Sequence, residues 1–374
     1  MKRMIWLVVL VGVVGAGCKK KPEEGAAITG SETMGSGGSM GTPMPTGSAG
    51  SATGSAAPPA NLTAEDMGKR FADCWGFWNA NESDEFKTCY TSDAIAETPG
   101  LGTPAANGVD AVVASAKTLK GPIPDLKGDI QLLLVNGHKE VSVVLLSGTN
   151  TGPMKAPLTE MPATHKKMGV FIAQAFEVDD ASRVKHEWDF YDMATVLGQL
   201  SPTKNHPVRA AVDKLPMPAQ VVVAKDDDKE QANLATDTKL LDAFNKHDLK
   251  AFGDLLADDL KWFVAAGPSD TDKKTTLQST DQFWKAFSDI KISPGNDRSS
   301  HWAAGDYVVT VATMEGTNDG DMPMMKMKKT GNKVQLPFVQ IDKIDNGKVA
   351  ATWLFFQNAA LMSQLGMMPP AAHK

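Results

Sequence analysis

Apolar residues first recur at helical spacing, at Phe71, Cys74, Trp75, Phe77 and Trp78, and Phe86, Cys89 and Tyr90 predict a second short helix behind them. Leu240, Leu241 and Phe244, followed by Phe252, Leu255 and Leu256, repeat that scheme later in the chain. A third helix is predicted near 108–119 and again near 279–289. The period then changes to alternation, which predicts strands at about 127–135, 140–149, 167–178 and 182–192, and again at about 292–302, 306–316, 332–343 and 347–357. Asn136-Gly137 and Asn346-Gly347 are hairpin signals within those runs. Helices followed by a run of mainly antiparallel strands define an α+β fold, a curved sheet folded over its helices as a cone with an interior pocket.

The same order of elements twice suggests a duplication, and particular residues confirm it. Trp188, Phe190, Ala194, Gln199 and Leu200 recur as Trp353, Phe355, Ala359, Gln364 and Leu365, an offset of 165 positions. Gly148-Thr149-Asn150 recurs as Gly316-Thr317-Asn318 at an offset of 168, and Asn79 with Phe86 recurs as Asn245 with Phe252 at 166. Three anchors in one order are two copies of a domain, not a solenoid, whose repeats are much shorter. The copies are expected at 61–201 and 228–367, separated by a linker at 202–227 where Pro202, Pro207, Pro216 and Pro218 interrupt any helix, and followed by a tail at 368–374.

The 60 residues ahead of the first copy have a different character. Lys2 and Arg3 precede an apolar run from Met4 to Val14, then Gly15-Ala16-Gly17 and Cys18. A charged end, a short apolar core and small residues make a secretory signal over 1–17. Gly15-Ala16-Gly17-Cys18 resembles a bacterial lipobox, which implies lipidation of Cys18 and anchoring to a membrane; Lys19 resembles the following residue of lipoproteins sorted to the outer membrane. Plain secretion is the alternative. Residues 18–60 are rich in Gly, Ser, Ala, Thr and Pro, the composition of a flexible tether with a mean reach of roughly 35–40 Å.

Charge and composition exclude some functions. Lys and Arg number 38 against 44 Asp and Glu, a net −6, with Lys19-Lys20-Lys21 the one basic run, so nucleic acid is not an expected partner. Three Cys and seven scattered His leave little for a metal site, and no metal is expected. Met322, Met324, Met325 and Met327 form a cluster that could bind Cu(I), but adaptable apolar surface is the favoured reading. Cys74 and Cys89 occupy the positions of Leu240 and Leu255 in the second copy, apolar sites that should face each other. In an exported protein such a pair is expected to form a disulfide, with two buried free thiols as the alternative.

Each copy resembles the SnoaL-like polyketide cyclase (ester cyclase) branch of the nuclear transport factor 2-like superfamily. The resemblance rests on Gly148-Thr149-Asn150-Thr151-Gly152 and on the closing strand and helix from Val184 through Trp188 and Asp192 to Gln199-Leu200. It implies a cone pocket, no cofactor, and, in members with activity, a cavity carboxylate that shuttles a proton at a ketide carbon. Asp192 matches the family's terminal Asp and is the candidate catalytic acid/base, with Asn150 and His165 as further candidates; the family commonly has His where Asn150 stands.

Taking the aromatic side of the closing strand as the interior brings His186, Trp188, Phe190 and Asp192 inward. Ligand contacts are then expected from Trp188, Phe190, His186 and Trp78 in the first copy, and from Trp353, Phe355 and Asn318 in the second. The second copy has Ala351 and Gln357 in place of His186 and Asp192, so any chemistry belongs to the first. Structural alternatives stand beside these: Asp192 as the cap of a helix beginning at Met193, Trp188 and Trp353 as core, Asn150 and Asn318 as turn residues. The leading expectation is an anchored, exported protein of the bacterial outer membrane, facing periplasm or cell surface, that binds a small apolar or ketide-like molecule. The alternatives are a cofactor-independent cyclase or isomerase in the first copy, and a structural lipoprotein with closed pockets. The two copies are expected to pair through their sheets as an internal pseudo-dimer.

Overall fold

Thr63 opens the described part of the chain by capping a helix, its hydroxyl accepting from Asp66 N at 3.1 Å while the Asp66 carboxylate accepts from Thr63 N at 3.0 Å. A computed structural model describes residues 63–156, 159–201, 208–214, 219–293, 300–323 and 327–367. The signal, Cys18, the tether, the tail at 368–374, and Met324 and Met325 lie outside the described residues. All described residues belong to one compact unit.

The first domain begins with α1 (Ala64–Ala80) and α2 (Ser83–Lys87), continues through β1 (Tyr90–Glu97), β2 (Ala106–Asn107) and α3 (Val109–Thr118), and then forms β3 (Lys127–Asn136) and β4 (Lys139–Thr149). A short hairpin of β5 (Met154–Ala156) and β6 (Thr159–Met161) precedes β7 (Lys167–Val178), β8 (Val184–Phe190) and α4 (Met193–Leu200). After β9 (Gln220–Val223) the second domain repeats the plan with α5 (Asp228–Asn245), α6 (Leu249–Asp254), β10 (Leu256–Val264), α7 (Lys273–Ala286), β11 (Lys291–Ser293), β12 (Ser300–Ala304), β13 (Tyr307–Thr317), β14 (Lys333–Asp345), β15 (Lys348–Phe356) and α8 (Asn358–Gln364).

The strands assemble into two large sheets. One has the order β2-β1-β8-β7-β4-β3-β9; the other has β10-β15-β14-β13-β11 with β12 also beside β13. The architecture is α+β in two tandem copies, each a mainly antiparallel sheet covered by helices on one face. Three pairings are parallel: β1 with β8, β10 with β15, and β3 with β9. Two of these correct the sequence reading at residues assigned to the second helix, since Tyr90 and Leu256 open strands. Their partners, the closing strands, lie about 90 residues away, so the pairing is invisible to local periodicity. The expected linker likewise contains β9, which extends the first domain's sheet.

The positions shared by the copies hold the frame. Asn79 donates to Gly128 O at 3.0 Å and accepts from Gly128 N at 2.8 Å, and Asn245 makes the same pair of bonds with Ile292 O and N at 3.2 and 2.7 Å. Gln199 brackets Gly169 in the same way, and Gln364 brackets Gln335. A disulfide joins Cys74 on α1 to Cys89 just ahead of β1, with the Cα atoms 6.0 Å apart.

The face of each sheet turned away from its helices is packed on the other sheet. Leu132, Leu134, Val141, Val143, Ala173, Ala175, Trp188 and Phe190 of the first meet Phe263, Trp302, Tyr307, Val309, Ile341 and Phe355 of the second in one buried cluster. Phe171 and Phe263 meet edge to face at 6.0 Å, Phe263 and Phe355 lie 5.5 Å apart, and Trp353 packs against the cluster from its margin. Both faces of each sheet are therefore buried, one against helices and one against the partner sheet.

Candidate functional site

Between the helices and sheet of the first domain lies a cavity of about 790 Å³. Its walls are largely aromatic and aliphatic: Phe71, Trp75 and Trp78 from α1, Phe86 from α2, Val112 and Ala116 from α3, and Leu146, Met168, Ile172 and Phe176 from the sheet. Trp75 and Trp78 stand edge to face with centroids 5.2 Å apart, as do Phe71 and Phe176 at 5.8 Å. A cavity of this volume and lining suits a small organic molecule.

Its polar groups come from the side of β8 opposite to the one assigned from the sequence. Glu187, Asp189 and Tyr191 line the cavity, joined by Tyr90 of β1, Gln174 of β7 and Glu140 of β4. Gln174 Nε2 donates to Glu187 Oε1 at 2.7 Å and to Asp189 Oδ1 at 2.9 Å, so a single amide holds two carboxyl groups side by side. Tyr90 donates its hydroxyl to Glu187 Oε2 at 2.8 Å, and Ser142 donates to Gln174 Oε1 at 3.3 Å. Burial pushes Glu187 well above the usual carboxylate range, reinforced by the charge of Asp189 beside it. Burial also raises Asp189, against the bond from Gln174. Two carboxyls side by side away from bulk water repel as anions, so each holds its proton to higher pH than a free carboxyl. The same burial raises Tyr90 and Tyr191.

Several residues expected in the pocket lie elsewhere. Trp188 and Phe190 point into the interface between the sheets, and Phe355 is their counterpart there, with Trp353 at its edge. His186 stacks on the Trp188 ring at 3.9 Å, and its Nε2 lies 3.3 Å from Glu97 Oε1, which also accepts from Trp188 Nε1 at 2.6 Å. Asp192 caps α4: its carboxylate accepts from Thr195 N at 2.8 Å and from the Thr195 hydroxyl at 2.7 Å. Its other oxygen accepts from Asn358 N at 3.3 Å, a bond between the two domains. The reason for these corrections is common to them all. Apolar character alone puts the aromatic side of the closing strand against the helices, but the most apolar face of the sheet is spent on the other sheet.

Asn150 and Asn318 are locks rather than ligand contacts. Asn150, fully buried, donates to Pro122 O and Gly152 O and accepts from the amide and hydroxyl of Thr164. Asn318 does the same with Ala286 O, Gly320 O and Thr330. With all their amide capacity used, neither has a group left for a ligand. His165 is exposed, in a left-handed turn at φ 56°, and is not among the cavity-lining residues. Of the residues expected to contact a ligand, Trp78 lines the cavity.

Glu187, Asp189, Tyr90, Gln174 and Glu140 were missed. The signal for the first two was in the strand itself, an acidic pair at alternate positions behind an aromatic face, and it becomes legible only once that face is known to be occupied.

The second domain places its acids differently. The positions of Phe71, Phe176 and Leu133 are taken there by Asp237, Asp342 and His301. His301 Nε2 lies 2.9 Å from Asp237 Oδ2, and Gln340 and Thr352 donate to Asp342. Burial raises both carboxyls, Asp342 the more because Asp237 stands against it. The space between helices and sheet holds the buried side chains of Leu240, Phe252, Trp284, Phe287 and Leu336. Among the described residues no group of three or more His, Cys, Asp or Glu is placed to hold a metal ion.

A fold of two helix-covered sheets, one copy hollow and acid-lined, defines the class, and comparison with known proteins names it. The family model for SnoaL-like polyketide cyclase matches residues 65–200 and 235–365, together well over half of the chain, and the chain belongs to that family twice over. No curated protein matches it. Among solved structures it is similar to AclR of Streptomyces galilaeus at 21% identity, covering 37% of this chain and 99% of that one with a TM-score of 0.34. It is also similar to IdmH of Streptomyces antibioticus, at 20% identity over 36% and 98% with a TM-score of 0.31. TsrD of Streptomyces laurentii is 16% identical over 37% and 97%, with a TM-score of 0.32.

Proposed function

We propose that the first domain binds a small, largely apolar molecule in its cavity and holds an oxygen of that molecule, carbonyl or hydroxyl, at the Glu187–Asp189 pair. The observation that carries this reading is the pairing of a buried carboxyl, Glu187, with a half-buried one, Asp189, under one amide at the wall of an otherwise apolar cavity. A carboxyl that keeps its proton donates to a carbonyl oxygen; its ionised neighbour accepts from a hydroxyl.

A second reading follows from the same pair. With one proton between them, the protonated carboxyl gives it to a carbonyl oxygen while the carboxylate takes a proton from the adjacent carbon, yielding the enol and leaving the pair with one proton again. This is the proton step of a cofactor-independent isomerase or cyclase, the activity for which the family is named. The second domain lacks both acids at these positions, having Thr352 and Leu354, so the activity is assigned to the first domain alone.

We further infer that the protein is exported and tethered by lipid on Cys18 to the bacterial outer membrane. The signal-like run before Cys18 supports this, and the Cys74–Cys89 disulfide is suited to an oxidising compartment.

Native mass spectrometry of the full chain tests the binding reading. A retained small molecule in the wild type, lost in Glu187→Gln with Asp189→Asn, is the expected result. Retention unchanged in the double variant would remove the pair from binding. For the catalytic reading, the wild type should exchange the α-hydrogens of a cyclic ketone with deuterium and the double variant should not; equal exchange by both would sink it.

A further inference from the structure

One acidic group in the first-domain cavity has no role in the Glu187–Asp189 arrangement. Glu140 lies on β4 with Ser142 and Leu146 toward the cavity, whereas Val141 and Val143 face the other sheet. It is 5% exposed, yet no described residue hydrogen-bonds its carboxyl. Arg70 contributes the opposing charge, but its guanidinium is committed to backbone carbonyls, Nε to Ser182 O at 3.0 Å and Nη2 to Thr88 O at 3.1 Å. Burial accordingly lifts Glu140 to about 7. Buried polar groups in native proteins are nearly always paired, and an unpaired carboxyl costs stability without return. The second domain has Val308 at this position, so the frame does not require an acid there.

Its location relative to the other acids is set by the sheet register. Glu140 pairs with Phe176, and Phe176 pairs with Glu187, so the two glutamates occupy one row with the Phe176 ring between them. Two strand spacings separate their Cα atoms by roughly 9.5 Å. The cavity thus has a polar pole at each end of an aromatic floor, and Arg70 balances the charge of the second pole.

We propose that Glu140 is a second polar anchor of this cavity, and that the molecule bound there is a largely apolar frame carrying a hydroxyl at each end. One hydroxyl meets Glu187–Asp189 and the other meets Glu140, with the frame lying along Phe176. A neutral hydroxyl, not an ammonium, fits the Glu140 end because Arg70 already supplies a cation. The inference rests on the reading that this cavity binds a ligand, and adds the class of that ligand.

Isothermal titration of the full chain with two probes separates the two. One is a naphthalene with a single hydroxyl, the other a naphthalene with a hydroxyl at each far end. The wild type should bind the second about ten-fold more tightly, the gain of one buried hydrogen bond to a charged group. Glu140→Leu should erase that advantage, so that it binds the two probes equally, and be at least as stable as the wild type, because it loses a desolvated carboxyl and no hydrogen bond. Glu140→Gln should retain part of the advantage. An advantage that survives Glu140→Leu, or equal affinities in the wild type, would overturn the role of Glu140 while leaving the cavity a binding site. Failure of the wild type to bind either probe would overturn the binding reading and this inference with it.

Discussion

Tyr90 donates its hydroxyl to Glu187 at 2.8 Å, binding the first strand of the sheet to the closing strand at the wall of the cavity. The bond opposes the effect of burial on Glu187, because it favours the ionised form. Tyr90→Phe should therefore move the Glu187 titration further upward and cost about 1 kcal/mol of stability. Side-chain carboxyl chemical shifts followed across pH would check it; a downward move would show that the hydroxyl is not the donor.

The acid pair makes stability pH-dependent with a definite sign. Glu187 and Asp189 titrate higher in the folded chain than their ordinary values of 4.5 and 3.8. The folded state therefore holds more protons than the unfolded one above about pH 4, and stability falls as pH rises toward the raised values. Replacing Glu187 with Gln removes the like charge and should flatten this decline. Denaturant midpoints measured between about pH 5 and 8 would show it, and parallel curves for the two proteins would contradict it.

In the second domain Asp237 and Asp342 stand against each other, both buried. Asp342→Asn should raise stability at about pH 8 by about 1–2 kcal/mol, since an amide can donate to Asp237 where a second carboxylate repels it. The gain should shrink in acid, where the pair keeps its proton. A loss of stability at both pH values would argue for a structural need for the second acid.

Trp188 and Trp78 distinguish the two buried faces of the first domain. Trp188→Ala should cost about 3–5 kcal/mol by opening the sheet-to-sheet interface, with affinity for a cavity probe retained under conditions where the variant is folded. Trp78→Ala should weaken the probe. Thermal unfolding and probe titration together decide it, and the reverse pattern would put Trp188 back in the pocket.

The disulfide between Cys74 and Cys89 closes a loop of 15 residues. Its removal by Cys89→Ser should lower stability by about 3 kcal/mol in the loop-entropy model. Equilibrium denaturation of variant and oxidised wild type would measure the difference, and equal midpoints would leave the bond without a stabilising role.

The linear sequence carried everything that depends on local pattern or on comparing the chain with itself. Helical spacing marked α1 and α5, alternation marked the long strands, and the recurrence of Gly148-Thr149-Asn150 and Trp188-x-Phe190 revealed two copies of an α+β domain. The shared residues turned out to be the frame. Asn79 and Asn245, Asn150 and Asn318, and Gln199 and Gln364 bond backbone in matching ways in the two copies. Recurrence inside one chain selects for shape, so it drew Trp188 and Phe355 into the candidate site when their work is structural; Asn150 entered through the family resemblance, and its work is structural too.

What only the tertiary structure decided was which face of the sheet looks into the cavity. Alternation along β8 separates Glu187 and Asp189 from Trp188 and Phe190, but it does not say which set faces the helices. The usual rule puts the apolar set inside a domain, and here the inside of the molecule includes the junction of two sheets. Once that junction takes the aromatic face, the acids are left to line the cavity, where burial gives them their unusual protonation. The parallel pairing of Tyr90 with the closing strand, and the row that joins Glu140 to Glu187 across Phe176, were equally out of reach, because both come from contacts between segments far apart along the chain.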